Sequence, residues 1–308
     1  MLGCIENVGM MPLNCKRMQK QPKNQPQVIE ELRPGQSMEL LKELHILTRE
    51  GKLNQDTRRK LKQVLHLYQF VEPLLNEVLK GDAAFTLADH GAGKSYLGFI
   101  LYDLFFNVAH AGQNASGHVY GIETRPELVE KSRALAARLG FERMTFLNLS
   151  VKESASSADL PARIDIVTAL HACDTATDDA IAFGLAKQAQ HMVLVPCCQA
   201  EVAGVLKKTR ALNLTKTPLA ELWRHPLHTR EFGSQITNVL RCLQLEANGY
   251  NVTVTELVGW EHSMKNELIL ASKPQTLNAK KTSAAEERLK QVLGELGLAE
   301  LTQRFAVA

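Results

Sequence analysis

The sequence holds no apolar run near the roughly 20 residues that a membrane-spanning helix needs, which excludes that class. Cysteine is scarce: six in 308 residues, with no CxxC pair and no regular spacing. That excludes a disulfide framework, and reduced thiols in the cytosol are the matching expectation. Charge of one sign is missing too. The 36 Lys and Arg stand against 33 Asp and Glu, a formal net charge of +3, so charge alone does not announce a nucleic-acid binder. The opening stretch, MLGCIENVGMMPLNCKRMQK, lacks a continuous apolar core after a basic head and is not rich in Arg and Ser, so neither a signal nor a transit peptide is expected. What remains is an ordinary globular composition, 45% hydrophobic and 22% charged, long enough to bury a full core.

Residues 1–26, with three prolines and scattered Gln, Asn and Lys, are expected to be a mobile leader. Residues 27–82 read as an amino-terminal helical module. Ser37 caps a first helix carrying Leu40, Leu41, Leu44 and Leu47. A second helix starts near Asp56 with Leu61, Val64, Leu65, Tyr68, Val71, Leu75 and Val78 at spacings of three and four. Pro73 inside it predicts a kink or break. From 83 to 275, short apolar runs alternate with helical patterns. The strands are expected at Ala84–Ala88, His118–Ile122, Met144–Leu149, Ile164–Leu170, Met192–Pro196, Asn251–Val258 and Glu267–Ser272. The intervening helices are expected at Lys94–His110, Arg125–Leu139, Thr177–Gln188 and Ser234–Asn248. This alternation predicts an α/β, doubly wound, mostly parallel sheet, with one of the last two strands reversed. Residues 200–233, polar and without a clear period, read as an inserted lid. Residues 276–308 read as a helical tail broken at Gly297.

The segment Phe85-Thr-Leu-Ala-Asp89-His-Gly91-Ala-Gly93-Lys-Ser-Tyr follows a strand and opens a helix, the place where open α/β sheets bind ligands. Three ligands compete for it. Ala88-x-x-x-x-Gly93-Lys94-Ser95 imitates a phosphate loop, as in an ATPase or GTPase. Against this, Asp89 would sit within the phosphate cradle, at an electrostatic cost. Gly91 and Gly93 begin a dinucleotide fingerprint, but Tyr96 stands at its third glycine. The third ligand is S-adenosylmethionine, whose ends carry no phosphate, so that a carboxylate beside the loop becomes useful. Glu123, at the end of the next strand, suits two ribose hydroxyls by bidentate acceptance. The bland alternative is that the glycines only shape a tight turn.

The stretches ADHGAGKSYLGFILYDLF, VYGIETRPELVEKSRALAARLGF, DIVTALHACDTATDDAI and VLVPCCQAE resemble the class I S-adenosylmethionine-dependent methyltransferases. Within them they are similar to the subgroup containing the glutathione S-transferase C-terminal-domain-containing protein and relatives of a tRNA ribose methyltransferase. The resemblance implies a seven-stranded, Rossmann-like sheet with a reversed last strand. It implies Asp89, Gly91 and Gly93 in the cofactor loop, Glu123 at the ribose, and Ser150 and Val151 at the adenine edge. Leu170 and His171 would lie beside the transferred methyl. Lys94-Ser95 departs from the commonest pattern of these enzymes.

A second cluster, His171, Cys173, Asp174 and Pro196-Cys197-Cys198, would gather at the ends of the fourth and fifth strands. His171 or Asp174 suits the role of base for an acceptor that must lose a proton. The thiols have zinc-ligand chemistry, but without CxxC spacing no metal is assigned; free cysteines also commonly act as small buried apolar groups. Glu261–Asn266 reads as a hairpin loop. Basic residues concentrate at Arg49, Lys52, Arg58, Arg59, Lys60 and Lys62, and again at Lys207, Lys208, Arg210 and Lys216. An RNA acceptor is expected first and a protein acceptor second, although no aromatic residues interleave to stack bases. A binding module without catalysis is the remaining alternative.

Overall fold

A strand whose successive residues are all apolar must be covered on both faces. Seven strands form one sheet: β1 (Phe85–His90), β2 (Gly117–Glu123), β3 (Met144–Asn148), β4 (Ile166–Leu170), β5 (His191–Val195), β6 (Asn251–Glu256) and β7 (Glu267–Ser272). This computed structural model describes residues 32–81, 84–111, 116–170, 172–209, 216–257 and 267–307, without the side chains of Asp56, Gly81 and Val151. The expected leader and the Glu261–Asn266 loop lie outside those residues. The strand order is β3-β2-β1-β4-β5-β7-β6. Neighbours run parallel except at β7, which is antiparallel to both β5 and β6. The fold is therefore the doubly wound, mostly parallel seven-stranded α/β sheet of Rossmann-like type that strand–helix alternation predicts.

Alternate residues serve two cores. Leu87, Ile166, Val193 and Val195 point into one apolar cluster, and Ala88, Val167, Met192 and Leu194 into the other. The first is covered by α1 (Met38–Glu43), α2 (Gln55–Gly81), α3 (Tyr96–Tyr102) and α4 (Pro126–Leu139). Leu40, Leu41, Leu61, Tyr68 and Leu75 of the amino-terminal helices share this cluster with Phe85 and Phe99, so these helices form a layer of the sheet's own core. After the short α5 (Val151–Ser156), α6 (Ala176–Ala186) covers the second face together with α8 (Pro226–Ala247). A third cluster joins α8 to α7 (Glu201–Thr209) and α9 (Ala279–Glu295). Among the described residues no helix is long and apolar enough to cross a membrane.

Three elements differ from expectation for physical reasons. Helix α2 runs unbroken through Pro73. The ring is exposed, the carbonyl it frees belongs to exposed Gln69, and buried Val71, Leu75 and Val78 hold the helix on both sides. Helix α3 passes at Asp103 into a π-helical segment ending at Ala109. Buried Asp103 accepts from the Ser37 N–H at 2.9 Å and from Asn107 Nδ2 at 3.0 Å, pinning the start of α1 to this turn. The stretch expected as an aperiodic lid contains helix α7, a 3₁₀ turn at Pro218–Trp223, and the first two turns of α8, which Pro226 opens at its first position.

Helices α7 and α8 meet through Gly233, where an added Cβ would stand 2.6 Å from both Cα and Cβ of Ala203. Gly233→Ala should therefore cost about 1–3 kcal/mol by overpacking. Gly294→Ala on α9, whose Cβ would meet nothing within 4 Å, should stabilise by about 0.5–1 kcal/mol. Denaturant unfolding of the two variants checks the pair; equal effects would show that the close approach is not tight.

Candidate functional site

Strands β1 and β4 are neighbours, yet the chain leaves them in opposite directions, to β2 and β3 on one side and to β5 on the other. Their carboxyl ends thus open a crevice at the switch point of the sheet, the general ligand position in open α/β folds. The glycine loop lies there. Gly91 and Gly93 take φ of +67° and +59°, values favoured by residues without a Cβ, and Ser95 follows at +50°.

The loop's backbone N–H groups are largely committed within the protein. Ala92 N–H donates to the Ile122 carbonyl at 3.0 Å, Ser95 N–H to the Ala92 carbonyl at 2.7 Å, and Gly93 N–H to Glu123 Oε2 at 2.8 Å. A phosphate cradle needs such donors turned toward the ligand. The Ser95 hydroxyl points to buried Asp89 instead, at 3.4 Å. This arrangement does not serve a triphosphate.

Two carboxylates define the electrostatics. Glu123 is held at the tip of β2, in register with Asn148, whose amide caps its carbonyl at 3.0 Å. Burial pushes its carboxyl up, but side-chain and backbone bonds from Arg125 and the Gly93 N–H outweigh this and bring it down to about 2. Both oxygens engage the Arg125 guanidinium, at 3.0 and 3.1 Å. Because the Arg125 side chain is 59% exposed, it is free to yield those lone pairs. Asp89 is buried; burial pushes it up to about 6, partly offset by bonds from the Thr168 hydroxyl (3.0 Å), the Ser95 hydroxyl and the Gly98 N–H.

Sequence reasoning passed over His90. It is 5% exposed, its ring lies 5.2 Å from that of Phe183, and neither ring nitrogen has a hydrogen-bond partner among the described residues. Burial lowers it to about 4, against the opposing charge of Glu123, so it is neutral at physiological pH. A histidine directly before the first loop glycine was the available signal.

The other expected residues are distributed as follows. Ser150 caps α5 in a reciprocal capping box with Glu153, and Val151 is the first residue of that helix. Leu170 ends β4, half-buried. His171 lies outside the described residues. Asp174, at φ +50°, directs Oδ1 to the N–H groups of Ala200 (2.9 Å) and Glu201 (3.2 Å) at the start of α7. The Asp174 N–H in turn donates to the Cys198 carbonyl. The three thiols of Cys173, Cys197 and Cys198 come together, their sulfurs within 4.8 Å of one another; Cys173 and Cys198 are exposed and Cys197 half-buried, so they do not fill a core. Asp165, just before β4, lies at the opposite end of the sheet and accepts from Thr86 N–H and hydroxyl at 2.8 and 2.7 Å.

The donor set suits a phosphate-free, cationic nucleoside: an ionised carboxylate for vicinal hydroxyls, a glycine loop allowing close approach, and negative charge facing a sulfonium. Residues 59–205 match the family model described as a methyltransferase domain. No curated protein matches the chain. Among solved structures, the rRNA methylase of Streptococcus thermophilus is 12% identical, with 67% of this chain and 95% of that one covered and a TM-score of 0.39. Magnesium protoporphyrin IX methyltransferase of Synechocystis PCC 6803, with bound S-adenosylhomocysteine, is 16% identical, covering 76% and 93% at a TM-score of 0.42. TrmK of M. capricolum, in complex with S-adenosylhomocysteine, is 11% identical, covering 72% and 96% at 0.37. Residues 59–205, a little under half of the chain, are thus similar to a methyltransferase domain.

Proposed function

We propose that this enzyme methylates RNA in the cytosol, with Glu123 holding the cofactor ribose, Asp89, Gly91 and Gly93 forming the wall around its amino-acid end, and Ser150 and Val151 meeting the adenine edge. The observation that carries this placement is the ionised Glu123 carboxylate, joined to the Gly93 N–H across the tips of β1 and β2. S-adenosylmethionine supplies a methyl already activated on a sulfonium, so the chain's own task is alignment. Leu170 borders the reacting end. His171 or Asp174 is the candidate to take a proton from the acceptor, Asp174 being the one held at the first turn of α7 by the Ala200 and Glu201 N–H groups.

Exposed basic residues support the RNA acceptor. Lys207 and Lys208 end α7, the helix that departs from the site, and Lys216 follows. Arg49, Lys52, Arg59, Lys60 and Lys62 are also exposed. Arg210 lies outside the described residues. The narrower resemblance to relatives of a tRNA ribose methyltransferase points the same way.

Incubation of the protein with methyl-labelled cofactor and cell-extract RNA or protein should label the RNA fraction; label in protein alone, or in neither while cofactor binds, contradicts the acceptor. Glu123→Ala should weaken S-adenosylhomocysteine by about 1–3 kcal/mol in calorimetry, the scale of bonds to a charged group, and unchanged affinity refutes the ribose role. For Asp89 the sign follows from burial. An unfolded aspartate titrates near 3.9 and the folded one near 6, so the folded state holds its proton longer and loses stability as pH rises between those values. Asp89→Asn should gain about 1–3 kcal/mol relative to the parent between about pH 4 and pH 8 in ligand-free melts. A difference that stays flat with pH means that the carboxyl is not desolvated.

A further inference from the structure

We propose that Cys173, Cys197 and Cys198 form a three-thiolate site for a thiophilic divalent cation, zinc being the representative ion. The inference goes beyond the methyl-transfer reading and stands without it. Cys173 follows β4 and Cys197-Cys198 follow β5, so the parallel pairing of those two strands brings together residues 24 apart in the chain. The Sγ atoms of Cys173 and Cys197 are 3.3 Å apart, and all three sulfurs lie within 4.8 Å of one another. Zinc–sulfur bonds of about 2.3 Å in a tetrahedron set sulfur–sulfur edges of about 3.8 Å, which falls inside this range. Among the described residues no other group of three potential ligands converges in this way.

The loops bearing the thiols are fixed from both sides. The Ala172 carbonyl, just before Cys173, accepts from the Thr177 hydroxyl at 2.7 Å. Just after Cys173, the Asp174 carbonyl accepts from Arg241 at 2.8 Å, and the Asp174 N–H donates to the Cys198 carbonyl, tying one loop to the other. Arg241 is itself fully buried and grips Asp178 through two bonds of 2.7 Å. Gln199, next to Cys198, is clamped to α8 by Asn238 and the Ser234 hydroxyl, each at 2.7 Å. Such support determines whether a ligand set is held in place before the ion arrives.

Two of the three thiols reach solvent, so an ion can enter and its fourth position stays open to water or to an acceptor atom. Binding forms three metal–sulfur bonds and breaks three S–H bonds, with the protons passing to solvent and no change of oxidation state.

The test is a cobalt titration of the full chain, reduced and freed of metal. One equivalent should produce a sulfur-to-cobalt charge-transfer band that zinc bleaches. Cys173→Ser, Cys197→Ser and Cys198→Ser should each lower the apparent affinity by more than about 100-fold, beyond what loss of an outer-shell partner costs. Cys242→Ser should leave the band intact. S-adenosylhomocysteine binding by each variant reports that the fold survives, and it separates failure of this site from failure of the cofactor reading. A reduced protein that takes up no cobalt, whatever disulfide it forms in air, overturns the proposal, as does a band that outlasts all three substitutions.

Discussion

A single hydrogen bond organises the crevice at the switch point of the sheet: the Gly93 N–H donates to the Glu123 carboxylate across the tips of two adjacent strands. It fixes the glycine loop, withdraws from that loop a donor that a phosphate would need, and keeps an anion at the end of β2. Arg125 closes over the same carboxylate from the solvent side. The proposed preference for an uncharged sugar over a triphosphate rests on where the loop's N–H groups already point. The behaviour of the two acids follows from burial and partners. Glu123 has donors enough to stay charged, whereas Asp89, deeper and with weaker partners, is held near the middle of the titration range.

The other half of the crevice is built on a buried guanidinium. Arg241 joins α8 to Asp178 on α6 and to the backbone at Asp174. Removing one partner of such a pair costs about 3–5 kcal/mol, because the remaining charge is left buried and alone. The Asp174–Cys198 bond and the Gln199 clamp extend this network to the thiol loops. The loops after β4 and β5 are therefore held by polar contacts, in contrast to the apolar layers that carry the sheet.

The legibility of the sequence divides along the same line. The strands were readable because both faces are covered, leaving runs such as Met192-Val-Leu-Val195 that have no other comfortable place. The positions of the glycine loop and Glu123 were readable because each stands at the end of a largely buried strand. Helix α8 was half hidden. Its first two turns, 226–233, bury only Thr229 and Gly233, so no apolar stripe marks them in the sequence. The gathering of the thiols at the ends of β4 and β5 was readable from the strand order, whereas the approach of all three sulfurs to within 4.8 Å was not, because no CxxC spacing signals it. His90 escaped notice because a histidine between an acid and a glycine has no pattern of its own until its burial is seen.

Calorimetric titration of the unmodified protein with S-adenosylhomocysteine, beside a parallel titration with ATP and magnesium, tests the central claim most directly. A saturable single-site isotherm with the first and none with the second is the expected result. Tight binding of the triphosphate with no heat from S-adenosylhomocysteine would contradict the assignment of the glycine loop.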